Sequence, residues 1–296
     1  MPARNSSTAE RLLRLGPAVG AIALCAAALA AAPGDTSGIT ADSARLPDLD
    51  QELPWDLQIT STGPSTAREY RLGFASAVRN IGDGPLIVSG GRRLAAIPTM
   101  TADQLVESAD APMAVVEGVG RLRYVESRDH EHWHLLDFER YQLRRAGGDP
   151  RRVTDRKTGF CLGDRYRTRG RALPAQPSVP RYTGRCGLGE TGRLGLVEGI
   201  SVGYGDDYPA NLEGQSLPLT GLPAGRYVLI HSVNVQRRLR ETDYGNNAAS
   251  LLLGLQWRAG APRLRLLRRC PDTGRCQQTY TTSTAGSSSS RNGGRS

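Results

Sequence analysis

Lysine is almost absent from this chain. Lysine and arginine together number 38 in 296 residues, and Lys157 is the only lysine. Arginine replaces lysine wherever a cation is enough, but its guanidinium does not deprotonate in proteins and cannot act as an amine nucleophile. The single lysine therefore indicates a position where a free amine reacts. The alternative is chance retention on a solvated loop.

Aromatic residues and cationic runs are scarce as well. Aromatic residues make up 5% of the chain, and the net charge of +9 comes from arginines scattered through every region. The nearest approach to a basic patch is Arg263, Arg265, Arg268 and Arg269. This pattern predicts no specific nucleic-acid partner and leaves only a loose affinity for polyanions. A hydrophobic content of 39% excludes wholesale disorder, and the length suffices for a buried core.

One long uncharged run is present, near the N-terminus. Residues 15–32 carry no charge and follow a segment with three arginines. A cationic start, an apolar stretch and a small-residue end predict a secretory signal peptide over residues 1–32, and hence an exported protein. The alternative is an uncleaved membrane anchor.

Removal of the signal peptide leaves four cysteines, because Cys25 lies inside it. An even number of cysteines in an exported chain predicts two disulfides. Three pairings are open, of which Cys161–Cys186 with Cys270–Cys276 closes the shortest loops.

The pattern of the remaining chain predicts an all-β fold, an antiparallel β-sandwich with long irregular loops and few short helices. Residues 33–54 are predicted to be a flexible lead-in, residues 55–280 a catalytic domain, and residues 281–296 a disordered Ser/Gly/Arg tail. Apolar and polar residues alternate between turn residues from Trp55 onwards, as in strands. Residues 165–195 are predicted to be a long loop, and residues 101–109 are the best helix candidate.

Three of the four histidines fall within five residues, at positions 130, 132 and 134. Side chains at i, i+2 and i+4 of a strand share one face, and neutral imidazoles suit copper or zinc. The outer two would lie roughly 13 Å apart along a flat strand, so three-fold ligation requires a curved or bulged strand. His130, His132 and His134 are therefore predicted metal ligands.

Two other interpretations of the histidine run stay open. His132, His134 and Glu139 follow the spacing of the first metal motif of a cupin, although the glycine expected before it is replaced by Glu126. Alternatively, the run is incidental, and the chain is a non-catalytic secreted β-sandwich module.

Five fragments in order resemble the catalytic domain of the lysyl oxidase family. They are HEHWH, then KTGFCLGD, then GISVGYGDDY, then PAGRYVLIHSVN, then ETDYGNN. The resemblance extends from about Trp55 to Trp257 and includes the only lysine.

The resemblance implies an all-β copper amine oxidase. It assigns copper to His130, His132 and His134, and it implies that Lys157 and Tyr208 are cross-linked into the organic cofactor lysine tyrosylquinone. Tyr204 competes with Tyr208 within the same segment. Such an enzyme deaminates primary amines, or peptidyl lysine, to aldehydes with molecular oxygen, releasing hydrogen peroxide and ammonia. Asp137, Asp206 and Asp207 are candidates for the general base.

An oxygen-rich segment near the C-terminus is a second candidate metal site. Glu241, Asp243, Asn246 and Asn247 supply the hard oxygen ligands that calcium prefers, although an ordinary Asx turn has the same composition. The resemblance implies a structural calcium site here, completed by an Asp-Leu pair early in the domain. We assign that pair to Asp56 and Leu57.

Overall fold

The computed structural model describes residues 43–127, 130–147 and 153–276, and for residues 153, 154 and 157 the backbone alone. Almost all regular structure in these ranges is β-strand, and one 3₁₀ turn occurs at Ser65–Ala67. The strands are β1 Ala44–Arg45, β2 Leu49–Gln51, β3 Trp55–Thr62, β4 Glu69–Asn80, β5 Leu86–Gly91, β6 Thr99–Ser108, β7 Ala114–Ser127, β8 His130–Arg145, β9 Val153–Phe160, β10 Tyr166–Arg167, β11 Gly195–Ile200, β12 Tyr204–Tyr208, β13 Ser216–Pro218, β14 Gly225–Val233, β15 Ala248–Arg258 and β16 Ala261–Cys270.

The strands form two antiparallel sheets, which confirms the predicted all-β sandwich. The larger sheet has the order β11-β5-β6-β7-β8-β14-β15-β16, with β1 paired to β6 and β9 paired to β8. The smaller sheet has the order β10-β12-β4-β13, with β2 and β3 also paired to β4. Within the predicted loop 165–195 the structure has the two-residue strand β10, and β11 begins at the last residue of this range, Gly195. No helix among the described residues is long and apolar enough to cross a membrane.

Strand β4 is the centre of the smaller sheet and is buried on both faces. Residues 72–78 are all buried, and Ala75 and Ala77 alternate with Phe74, Ser76 and Val78. Small side chains on one face allow close packing there, while the larger ones fill the space between the sheets. β12 pairs with the C-terminal half of β4, opposite residues 76–79.

The helix predicted at residues 101–109 is wrong, because this segment belongs to strand β6. Met100, Ala102, Gln104 and Val106 are buried, while most residues between them are more exposed. That alternation has the period of a strand, not of a helix. Pairing on both sides, with β5 and β7, overrides the helix propensity of the segment.

Strand β8 changes partners along its length. Its first part, residues 130–135, pairs with β7, and its second part, residues 139–145, pairs with β14 and β9. The register shifts between Leu135 and Glu139, and Asp137 within this irregularity has a φ of 57°. The bulge separates the histidine-bearing half of β8 from the half that lines the centre of the sandwich.

The folded region begins earlier than predicted. Within the predicted flexible lead-in, residues 33–54, residues 44–45 and 49–51 form strands, and Leu49, Asp50 and Gln51 are buried. β2 pairs with β4, so part of the expected lead-in belongs to the smaller sheet. The predicted signal peptide and the predicted tail lie outside the described residues.

Two disulfides join the four described cysteines, as the number of cysteines predicted. They link Cys161 to Cys186 and Cys270 to Cys276, the pairing that closes the shortest loops. The first attaches the loop after β10 to the end of β9. The second closes a short loop whose cysteines pack with residues of β14 and β15.

Candidate functional site

The three histidines of the HxHxH run converge. A ligand nitrogen of each of His130, His132 and His134 lies within 4.8 Å of those of the other two, although the residues span five positions of β8. The Nε2 atoms of His132 and His134 are 2.8 Å apart, and the rings of His130 and His134 are 4.9 Å apart between centroids. His130 and His134 are buried, and His132 is half-buried. The group therefore has one side open to solvent, through His132.

Burial keeps two of these imidazoles neutral. Desolvation, followed by the nearby His130 charge, lowers the pKa of His132 to about 4. Desolvation likewise lowers the pKa of His134 to about 2. Neutral imidazoles present the lone pairs that a metal requires. The Nδ1 atom of His130 is buried without a hydrogen-bond partner among the described residues. These features fit a copper ion.

Tyr208, at the end of β12, lies beside the histidines. Its ring centroid is 6.0 Å from that of His130, with the two rings nearly parallel, and 6.4 Å from that of His134. The ring also packs at 4.0 Å against Phe160 at the end of β9. The backbone N–H of Cys161 donates a 3.0 Å hydrogen bond to the phenol oxygen. The segment that contains Lys157 and the segment that contains Tyr208 therefore meet at this phenol.

Tyr204 points elsewhere. Its phenol donates to the carbonyl oxygen of Pro177 at 3.4 Å, in the long loop, and no ring contact joins it to the described histidines. The geometry favours Tyr208 over Tyr204 as the tyrosine of the site.

Lys157 lies on β9, where its backbone is opposite Arg140 of β8. It stands three positions before Phe160, whose ring contacts Tyr208. The cross-link between Lys157 and Tyr208 stays a prediction.

Two carboxyl groups that the sequence did not single out as a pair are buried next to Tyr208. Asp206 is 1% exposed and Glu198 is 2% exposed. Burial raises the pKa of each well above its usual range, and the Asp206 charge raises that of Glu198 further. The guanidinium of Arg165 lies 3.8 Å from Asp206. Of the three predicted general bases, Asp207 is half-buried and Asp137 lies in the β8 bulge.

The cupin interpretation is wrong, because Glu139 does not join the histidines. The described groups that could hold a metal comprise His130, His132 and His134 alone. The carboxylate of Glu139 instead accepts a 2.8 Å hydrogen bond from the hydroxyl of Ser76. His231, the remaining histidine, contacts the same hydroxyl through Nδ1 at 3.0 Å and packs against Phe74 and Tyr141.

The oxygen-rich segment is held together around Glu241. One carboxylate oxygen of Glu241 accepts hydrogen bonds from Asn234 and Asn247, each at 2.6 Å. The other accepts from the backbone N–H of Leu49 at 3.0 Å. Asn246 donates to Asp48 at 2.7 Å. The segment is thereby joined to residues 48–49.

Asp56 and Leu57 are not brought to this segment, which corrects our assignment. Asp56 is exposed, and its carboxylate accepts from Gln58 two residues away. The Asp-Leu pair that contacts the segment is Asp48–Leu49, eight residues earlier. Both pairs stand in the same stretch, LPDLDQELPWDL, so the sequence contained the correct pair. Asp243 accepts from the N–H of Gly245 in an exposed Asx turn.

Comparison with known proteins points to one family. The family model for lysyl oxidase matches residues 118–258. Protein-lysine 6-oxidase of Sus scrofa is 30% identical over 122 residues, which are 40% of this chain and 41% of that protein. The Rattus norvegicus protein of the same name is 30% identical over 122 residues, 25% of its length. Lysyl oxidase homolog 1 of Homo sapiens is 27% identical over 122 residues, 18% of its length.

The chain thus spans less than half the length of these relatives. The matched region contains the histidine run, Lys157, Tyr208 and the oxygen-rich segment. Residues 118–258 are therefore similar in sequence to the lysyl oxidase family over the region that holds the candidate site.

Proposed function

We propose that this chain is an exported copper amine oxidase that deaminates primary amines to aldehydes with molecular oxygen. The observation that carries the proposal is the convergence of three histidine nitrogens within 4.8 Å, with the phenol ring of Tyr208 stacked 6.0 Å from His130. A bound copper ion would supply a redox-active Lewis acid beside that phenol.

The chain's own residues have separable roles in this proposal. His130, His132 and His134 hold the metal, and their position on β8 next to the bulge fixes the direction of the rings. The N–H of Cys161 and the ring of Phe160 hold the phenol of Tyr208 in place. Lys157 supplies the only lysine amine of the chain. The Lys157–Tyr208 cofactor would supply a carbonyl that takes up a primary amine.

The substrate is proposed to be a primary amine, with peptidyl lysine as one class. The relatives named protein-lysine 6-oxidase support this choice. His132 is the member of the histidine group on the solvent side. Besides burial, the positive charges of Arg165 and Arg185 lower its pKa. An unprotonated amine is therefore favoured at this entrance over an ammonium ion.

Export is proposed from the signal-like N-terminus and the two disulfides. Disulfides of this kind form and persist in oxidising compartments. We propose in addition a structural calcium ion at Glu241, Asp243, Asn246 and Asn247. Asp48 and Leu49 replace Asp56 and Leu57 in this site. The side-chain oxygens of Asn246 and Asn247 are buried without hydrogen-bond partners among the described residues, which supports a cation there.

The test is a carbonyl assay on purified protein loaded with copper in air. Phenylhydrazine should form a coloured adduct with the wild-type protein, and Lys157→Arg should bind copper but form no adduct. Peroxide release from a primary amine should follow the same pattern. A wild-type protein that takes up copper but neither forms the phenylhydrazine adduct nor releases peroxide from a primary amine would contradict the proposal.

A further inference from the structure

The loop segment 184–190 lies along the histidine-bearing half of β8. The backbone N–H of Trp133, which stands between two of the predicted copper ligands, donates a 2.9 Å hydrogen bond to the carbonyl oxygen of Cys186. The N–H of Gly189 donates a 2.8 Å hydrogen bond to the carbonyl oxygen of Glu131. These two bonds hold the loop segment beside the histidine group.

Arg165 joins this loop segment to the phenol of Tyr208. Its Nη2 atom donates at 3.1 Å to the carbonyl oxygen of Gly184 and contacts the Sγ of Cys161 at 3.1 Å. The N–H of Cys161 bonds the phenol oxygen. The backbone N–H of Arg165 donates at 2.9 Å to the carbonyl oxygen of Gly205 on β12. The guanidinium is therefore fixed where the loop, the end of β9 and β12 meet.

Arg185 is a second cation beside the histidines. It precedes Cys186, whose carbonyl oxygen bonds to β8, and it is exposed. Its guanidinium forms no hydrogen bond or ion pair with any residue in the described part of the chain. Arg185 and Arg165 both lower the pKa of His132, as cations close to an imidazole do.

An open cleft of about 390 Å³ has Arg185 in its lining. Leu188 and Arg193 of the same loop and Val197 of β11 also line it. Glu190 is the one carboxylate in this lining, and it forms an ion pair with Arg193 at 2.6 Å. Arg185 is therefore the cation of the lining that has no anionic partner there.

The nearby carboxylate Asp206 does not change this charge balance. It lies 3.8 Å from the Nε of Arg165 but is only 1% exposed, whereas the Arg165 side chain is 29% exposed. Asp206 thus offsets Arg165 from the buried side, and Arg185 is not offset. An entrance with an excess of one charge attracts ligands of the opposite charge and repels those of the same charge.

We propose that the substrate carries a carboxylate close to its reacting amine, and that Arg185 binds this carboxylate. The carboxylate belongs to an acidic residue beside a peptidyl lysine or to a small amino acid with a terminal amine. A guanidinium suits this role because it binds a carboxylate through two parallel N–H···O bonds. This inference rests on the proposed function, because it names the substrate class of that same site.

The first measurement is binding, which requires no cofactor. The copper-free full chain is titrated calorimetrically at low salt with acetyl-Glu-Lys-Glu-amide and with the matched peptide acetyl-Gln-Lys-Gln-amide. The wild-type protein should bind the acidic peptide about fivefold more tightly, the effect of one exposed ion pair. Added salt should reduce this difference. Arg185→Gln should lose it, and Arg263→Gln, at an exposed arginine of β16, should keep it.

The second measurement is peroxide release by the copper-loaded, air-exposed protein. The acidic peptide should have a kcat/KM about fivefold above that of the neutral peptide, mainly through a lower KM. Arg185→Glu should reverse this preference. The pair ε-aminocaproate and hexylamine distinguishes the two sources of the carboxylate. A preference for ε-aminocaproate assigns the site to small amino acids as well, and a preference within the peptide pair alone assigns it to acidic side chains.

Equal affinities of the wild-type protein for the two peptides, or a difference that survives in Arg185→Gln, would overturn the inference. The two proposals fail differently. If the acidic peptide binds more tightly through Arg185 but no amine is oxidised, the carboxylate site stands and the proposed function falls. If amines are oxidised with no preference for a carboxylate, the proposed function stands and this inference falls.

Discussion

The backbone amide of Cys161 donates a 3.0 Å hydrogen bond to the phenol oxygen of Tyr208. Cys161 follows Lys157 by four residues, and its side chain is fixed by the disulfide to Cys186. The bond thus connects the segment of the only lysine to the tyrosine that stacks on His130. The two segments are far apart in the sequence, and this hydrogen bond brings them into contact.

Copper content should depend on the histidine run and not on His231. We expect each of His130→Ala, His132→Ala and His134→Ala to lower copper stoichiometry, and the triple variant to retain essentially none. His231→Asn is the control, because His231 is buried and contacts Ser76 instead of the other histidines. Metal analysis checks this. Full copper in the triple variant would place the metal elsewhere.

Calcium should raise the melting temperature, and this increase should depend on Asp48 and not on Asp56. Asp48→Asn and Asp243→Ala should each lose the calcium-dependent increase, because both carboxylates lie near the oxygen-rich segment. Asp56→Asn, a matched substitution at an exposed site, should keep it. Thermal unfolding with calcium and with chelator measures the difference. The reverse pattern would restore Asp56 and Leu57 as the partner pair.

Glu139→Gln should stabilise the protein more at high pH than at low pH. Burial raises the pKa of Glu139 from 4.5 to about 7. The folded state therefore keeps its proton where the unfolded state has lost it, and stability falls as the pH rises from 4.5 through 7. Gln removes this loss and can still accept from Ser76. Relative to the wild-type protein, the free energy of unfolding of Glu139→Gln should increase by up to about 3 kcal/mol from pH 5 to pH 8.

Urea unfolding at pH 5 and pH 8 checks the Glu139 prediction. Glu69→Gln is the control, because Glu69 is exposed and its substitution should change little between the two pH values. Equal effects of Glu139→Gln at both pH values would show that its carboxyl group has an ordinary pKa.

The two disulfides should differ in their contribution to stability. The Cys161–Cys186 bond closes a separation of 25 residues and the Cys270–Cys276 bond one of 6. Loop-closure entropy then assigns about 3.5 kcal/mol to the first and about 2 kcal/mol to the second. Paired Cys→Ala variants measure this by denaturant unfolding. Loss of the first bond should also slow cofactor formation, whereas loss of the second should leave its rate unchanged.

The features that the sequence predicted well were local. The histidines at alternate positions, the single lysine and the even number of cysteines all concern residues near one another in the chain or a simple count. The strand β6 was missed even though Met100, Ala102, Gln104 and Val106 alternate with period two, because the segment also has good helix formers.

The features that the sequence did not predict depend on contacts between distant segments. Asp206 and Glu198 are eight residues apart on different strands. Their proximity depends on the position of β11 in the larger sheet relative to β12 in the smaller sheet. The choice between Asp48 and Asp56 likewise depends on the pairing of β2 with β4. No local pattern distinguishes two Asp-Leu pairs in one stretch of twelve residues.

Peptide mapping of the copper-loaded, air-exposed protein tests the central claim most directly. Trypsin cleaves after arginine and lysine, and a cross-linked Lys157 is no longer cleaved. After reduction, the account predicts one mass that joins residues 157–165 to residues 194–226, the peptide of Tyr208. Fragmentation should place the link on Tyr208 and not on Tyr204. Lys157→Arg should yield residues 158–165 and residues 194–226 as separate peptides, because trypsin then cleaves after position 157. Cleavage after Lys157 in protein that shows amine oxidase activity would contradict the account.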